Sequence, residues 1–358
     1  MSKQQFRVLY RAFLLQIVDL ELLPAQGDPA RLLIQIGALL AAVSFILAIL
    51  LLPQYAKATG AQIAAGAWGD QEFLISTTMA VVGLFTVLAW DSIFPDRRDS
   101  LVLGNLPIRP RTIFASKAAA TATGLAICML AVNSATGLAY PFVAGDIETF
   151  FAYWITMAAA GLSIFCTLLA AQGLAALLLR YQWYLKVSNA LQVSAFFSIL
   201  AVYCLTPGPS DMDLTRAIPD PAWRLPSFWF LGLFQRLAGE SQPRFGPLAS
   251  RAAWWLASSM LLAAATYALS YYHHMRRIVE EPDILPSDRT HPAARWAGWA
   301  AEKSMPRPLD RAVLLFVART LVRSRQHRNL LAAFGGLALA LTLVFAKGLL
   351  YGNSQMYA

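Results

Sequence analysis

Residues 90 to 117 read WDSIFPDRRDSLVLGNLPIRPRTIFASK, and long apolar runs stand on both sides of them. Arg97, Arg98, Arg109, Arg111 and Lys117 are crowded into a few polar turns between two runs that bury best in lipid. A loop this basic between membrane spans is expected on the cytoplasmic side. Asp96 to Leu103 has the marks of a short helix. Pro95 suits a first turn, Asp96 and Asp99 suit its positive end, and Gly104-Asn105 supplies a left-handed stop. Leu101, Leu103 and Leu106 would then lie on a charged loop with no lipid to enter. Such an apolar knob calls for a protein partner.

Outward from this loop the composition agrees. Of the 358 residues, 58% are hydrophobic, against roughly 45–50% in soluble domains. Several uninterrupted apolar runs approach the roughly 20 residues that cross a bilayer as a helix. The chain therefore reads as an all-α polytopic membrane protein with about seven transmembrane helices. Its net charge of +9 does not point to nucleic acid, because the cations sit in loops that alternate with the apolar runs.

The expected spans are 32–52, 73–94, 112–140, 150–179, 185–205, 251–272 and 330–350, with Lys117 near enough to the start of the third to snorkel. With the amino terminus in the cytoplasm, 22 of the 29 lysines and arginines fall on the inner side and 7 on the outer. That bias favours a cell-membrane protein of this orientation. The segment 53–71, with Gly60, Gly66 and Gly69, reads as an outer connection.

Residues 3–23 place Phe6, Leu9, Tyr10, Phe13, Leu14, Ile17 and Val18 on one helical face. They are expected to form an interfacial helix on the membrane, or one packed on a soluble partner. Residues 222–239 contain SFWFLGLFQRLAG, too short to span. Ser227 is placed to cap a short outer helix and Gly239 to end it. The helix, which also carries Phe234, would dip into the outer face or lie on it; alternatively Trp223, Phe228, Trp229 and Phe230 act as an aromatic interface anchor.

The run DRRDSLVLGNLPIRPRTIFASK resembles the first cytoplasmic loop of ABC-2-type ABC transporter permeases, in which an acidic residue precedes a leucine-rich turn, Leu-Pro, a basic pair, Ile and Lys. The matching positions are Asp99, Leu101, Leu103, Leu106, Pro107, Arg109, Arg111, Ile113 and Lys117. Many members carry Glu followed by Gly-Thr, where this chain has Asp99-Ser100. The resemblance implies a six-helix unit with a surface helix first, a coupling helix between spans two and three, and a short outer helix before span six. By resemblance, Asp96, Arg97, Arg98, Asp99, Leu101, Leu103, Leu106, Pro107, Arg109, Arg111 and Lys117 would engage a separate ABC ATPase subunit.

On this reading 1–274 is the first unit, 275–308 a cytoplasmic linker, and 309–358 a second interfacial helix and a seventh span that open a second unit. Val313, Phe316, Val317, Thr320 and Leu321 supply the apolar face of that second helix. The pathway would run between two units, from a repeat or a homodimer.

No GxxxxGK[ST] loop is present, so ATP would be held and hydrolysed by the partner and no cofactor by this chain. His273, His274, His291 and His327 have no spacing that converges three metal ligands. Cys128, Cys166 and Cys204 fall inside apolar runs as small buried residues. Only Asp91 and Lys347 stand as ionisable groups within spans, both near an end, which counts against a proton-coupled secondary transporter. Asn133, Gln172, Asn189 and Gln192 are expected to bond between helices. The function implied is the permease subunit of an ATP-driven exporter; a membrane scaffold or assembly factor, or a secondary transporter, are the alternatives.

Overall fold

The computed structural model describes residues 3–18, 29–51, 61–93, 108–144, 147–179, 181–206, 224–239, 242–280, 308–323, 331 and 334–346. Among them every regular element is a helix, as lipid requires of a chain that must satisfy its backbone within each span. In order these are α1 (Lys3–Val18), α2 (Pro29–Leu51), α3 (Ala61–Leu88), α4 (Trp90–Ile93), α5 (Pro110–Ala144), α6 (Ile147–Leu178), α7 (Tyr181–Leu205), α8 (Pro226–Leu237), α9 (Phe245–Glu280), α10 (Pro308–Arg323) and α11 (Phe334–Ala346). Six of them, α2, α3, α5, α6, α7 and α9, are long and apolar enough to cross a membrane. The protein is thus an all-α polytopic membrane protein. The described part of the expected seventh span is the apolar helix α11, which lays Gly336 on Phe196 of α7, too close for a side chain at that position.

α3 departs most from expectation. Gly60, Gly66 and Gly69 suggest a connection, yet the helix starts at Ala61 and runs through both later glycines. Residues 61–67 are AQIAAGA, and alanine is the strongest helix former, which offsets one glycine. The consequence is that Asp70, Gln71 and Glu72, expected outside, are carried into the bundle and buried. The helix ends earlier than expected, at Leu88, turns at Ala89 and resumes as the single turn α4.

Two clusters make up the core, one around each end of α3. Near its amino-terminal end Trp68, Leu74 and Ile75 pack with Tyr140 of α5, Tyr153 and Met157 of α6, Phe228, Phe230, Leu231 and Phe234 of α8, and Phe245 and Leu248 of α9. Around its carboxyl-terminal end Val82, Ala89 and Ile93 pack with Ile113, Ala120 and Leu125 of α5, Phe165 and Leu169 of α6, Tyr267 of α9, and Leu9 and Phe13 of α1. α1 therefore spends its apolar face on α5 of its own chain, with Leu9 and Phe13 buried and Arg7 and Arg11 exposed.

α8 is a half-length helix of 12 residues, roughly 18 Å long. Leu225 occupies the cap position with no side-chain bond and Pro226 opens the first turn, so the expected Ser227 cap is replaced by proline, whose missing N–H costs nothing there. Ser227 is instead buried. At the other end Ala238 N–H donates to Phe234 O at 2.9 Å and Gly239 takes a left-handed φ of +85°, which ends the helix as expected. α8 then folds back on α9. A methyl group on Gly232 would run into Leu248 and stand 3.0 Å from the Ala249 nitrogen. Phe228, Phe230 and Phe234 are wholly buried between α3, α5, α6 and α9. This corrects the interface-anchor alternative for Phe228 and Phe230, since neither reaches an interface. Trp229 is half-buried, edge-on to Trp255 at 5.4 Å, and Trp223 lies outside the described residues.

Candidate functional site

The residues 94–107 that contain Asp96, Arg97, Arg98, Asp99, Leu101, Leu103, Leu106 and Pro107 lie outside the described residues. The two points from which that loop springs are described, and both are held firmly. A helix end leaves carbonyls without intrahelical partners, and at the α3–α4 break four side chains from three other helices meet this need or tie the turn down. Gln192 Nε2 donates to Val87 O at 2.9 Å, Gln172 Nε2 to Trp90 O at 2.9 Å, and Tyr267 Oη to Ile93 O at 3.2 Å. Trp90 Nε1 donates to Ser188 Oγ at 2.9 Å. α6, α7 and α9 are thus bonded to the last turn before the loop. On the return, Arg109 O accepts from Thr112 N at 2.8 Å, Pro110 begins α5, and Ile113 is buried beside Ile93 in the same cluster. Arg109 and Arg111 are exposed at this mouth.

Lys117 is placed otherwise than expected. It does not snorkel: it is 1% exposed, lying beneath α1 with Nζ 5.2 Å from the centre of the Phe13 ring. A cation over an aromatic face gains more when desolvated, so Lys117 joins the surface helix α1 to α5 from the inside.

At the opposite end of α3 a polar group gathers that sequence reading missed. Gln235 of α8 donates through Nε2 to Gln71 Oε1, and Gln71 Nε2 donates to Tyr140 Oη of α5, linking the half-length helix to two spans. Asp70 lies within electrostatic reach of Tyr140, and Glu72, wholly buried, within reach of Tyr203 on α7. Arg244, in the turn between α8 and α9, covers the Trp68 ring at 4.6 Å. The expectation that ionisable groups within the spans are scarce and stand near an interface, as Asp91 and Lys347 do, is corrected by the buried Asp70, Glu72 and Lys117; the side chains of Asp91 and Lys347 are outside the described ones.

Between the two ends runs a hydrogen-bonded seam. Tyr153 Oη of α6 donates to Asn133 Oδ1 at 2.9 Å and lies 2.8 Å from Thr136 Oγ1, both on α5. Thr78 Oγ1 of α3 reaches Asn133 Oδ1 at 3.1 Å, and Ser44 Oγ of α2 lies 3.3 Å from Thr136 Oγ1. Four spans are stitched in one place. Asn133, Gln172 and Gln192 thus bond between helices or to another helix's backbone, as expected; Asn189 is half-buried. The signal for this seam was present as Thr, Asn and Tyr in apolar runs, but the pairing depends on how the helices meet.

Among the described residues no three His, Cys, Asp or Glu side chains converge to hold a metal ion. His291 and His327 lie outside the described residues, as do the side chains of His273 and His274. Cys128 and Cys166 are buried and Cys204 is half-buried. No protein-family model, curated protein or solved structure matches the chain.

Proposed function

We propose that this protein is the membrane-spanning permease subunit of an ATP-driven ABC-2-type transporter, working as an exporter with a separate ATPase subunit. The observation that carries the reading is the rigid mounting of the 94–107 loop. Its entry turn is bonded to α6, α7 and α9 at once, so a push on the loop would be delivered to three spans together rather than dissipated in one. The order of elements supports the same reading: surface helix α1, six spans, and the half-length α8 folded against the last of them.

In this account Leu101 and Leu103 anchor in a groove of the ATPase, with Leu106 and Pro107 completing the turn. Asp96, Arg97, Arg98, Asp99, Arg109 and Arg111 form the polar rim, and Lys117 holds the adjoining surface helix. The bundle would open between this unit and a second one, either a homodimer partner or a repeat begun by α10 and α11, to cargo entering from the bilayer or the inner face. The cytoplasmic placement of the amino terminus belongs to the same proposal.

The buried acids give a secondary transporter some support, because a buried carboxylate suits proton coupling. Their position favours the first reading. Glu72 lies four residues into the span that starts at Trp68, about 6 Å along the axis, whereas coupling sites sit near the midplane. Co-purification with a candidate P-loop ATPase, sought in the open reading frame next to this gene, decides the matter. The pair Leu101→Ala with Leu103→Ala should abolish recovery of the ATPase, since losing desolvated anchors costs on the order of 2 kcal/mol or more each. Unchanged recovery in that variant would overturn the coupling assignment and favour a scaffold or secondary transporter.

A further inference from the structure

The bundle contains a crevice of about 260 Å³ between α2, α3 and α5. Leu33, Gly37 and Leu40 line it from α2, Leu84 and Phe85 from α3, and Ile127 from α5. Among the described residues, none that lines it is charged. A single water needs about 10–15 Å³ of such space, so the crevice has room for a ligand of several methylenes. Its α2 wall is half-buried and continuous with Ile34 and Leu39, which are exposed on the lipid-facing side of the same helix. Its surroundings in a membrane are acyl chains.

Position and charge specify which lipid. The crevice lies in the half of the bundle that contains α1, because Tyr10 Oη of α1 bonds Thr123 Oγ1 at 3.0 Å, one residue before the lining residue Gly124. On that side Lys3, Arg7 and Arg11 of α1, Arg31 in the first turn of α2, and Arg109 and Arg111 at the head of α5 are all exposed. Neither α1 nor α2 contains an acidic residue. We propose that this crevice binds one acyl chain of an anionic phospholipid from the leaflet on the α1 side, its headgroup held by the exposed cations of α1 and Arg31. This site does not depend on the transporter reading.

Gly37 makes the proposal testable, because a Cβ added there would meet nothing within 4 Å. The protein is exchanged into phosphatidylglycerol or phosphatidylcholine nanodiscs, and retained lipid is counted by native mass spectrometry, with a thermal melt as the folding check. Wild type should keep one tightly held phosphatidylglycerol. Gly37→Trp should reduce its retention at least tenfold without lowering the melting temperature. If tryptophan perturbs the fold, Gly37→Leu should give a smaller reduction at unchanged stability. Arg7→Gln with Arg11→Gln should leave a lipid bound but erase the preference for phosphatidylglycerol over phosphatidylcholine. Equal retention of the two lipids by wild type, or undiminished retention in folded Gly37 variants, overturns the proposal. A Gly37 variant that changes the monomer to dimer ratio while leaving lipid untouched also overturns it, and marks the crevice as a contact between copies.

Discussion

α1 and α10 share a sequence pattern and differ in what the structure makes of it. Each is an amphipathic helix of 16 residues, and each precedes an apolar helix. α1 sets Leu9 and Phe13 into the bundle, with Phe13 4% exposed over Lys117. On α10 Val313 is exposed and Phe316 is 72% exposed. Amphipathic spacing says that a face wants cover without saying what covers it. For α1 the cover is α5, fixed by a buried cation and by the Tyr10 to Thr123 hydrogen bond. The proposed second unit, or a second copy of the chain, would supply a span to do for α10 what α5 does for α1.

The largest expected effect in this comparison is at Phe13. Phe13→Ala should destabilise the protein by about 3 kcal/mol, the lower end for truncating a buried phenylalanine, read as a clear fall in the detergent melting midpoint. Phe316→Ala should stay within about 0.5 kcal/mol of wild type, as exposed substitutions do. Equal losses at the two positions would break the contrast, whereas a loss at Phe316 seen only at high protein concentration would sharpen it by showing a partner.

A smaller effect is expected from Tyr10→Phe, which removes one half-buried hydrogen bond and should cost about 1 kcal/mol. Thr123→Val should cost about the same, and the double variant should be no worse than either single one, because both remove the same bond. Strict additivity in that cycle would show that the two hydroxyls act separately.

The smallest effect should come from charge. Arg109→Ala leaves an exposed position at the loop mouth, so it should change stability by less than about 0.5 kcal/mol. It should nevertheless weaken ATPase recovery modestly and more at low salt, since a rim charge contributes in a salt-dependent way. Recovery that is independent of ionic strength would assign Arg109 to topology alone.

What sequence made legible follows from which property decides each feature. The spans declare themselves because lipid demands long apolar runs, and α1, α8 and α10 because a one-sided face survives in periodicity. The start of α3 was misread since Gly66 and Gly69 look like breakers unless the alanines between and before them are weighed. That single error hid Asp70, Gln71 and Glu72, and with them the bond from α8 to α3. Lys117 looks like a snorkelling residue by its place in the span, and only the docking of Phe13 over it makes it internal. Phe228 and Phe230 look like interface aromatics until α8 is seen wedged against α9, where Gly232 lets the backbones approach. The last two misses concern partners distant in sequence, which periodicity does not encode.

The central claim concerns the loop that α4 and α5 hold out. Its most direct test places a photo-crosslinking amino acid at Leu101 and, separately, at Ser210, with a candidate P-loop ATPase co-expressed and the adduct identified by mass. The account predicts an adduct with the ATPase from position 101 and none from position 210, which it assigns to the opposite side of the membrane. No adduct from 101 in a folded, inserted protein, or an adduct from 210, would contradict it.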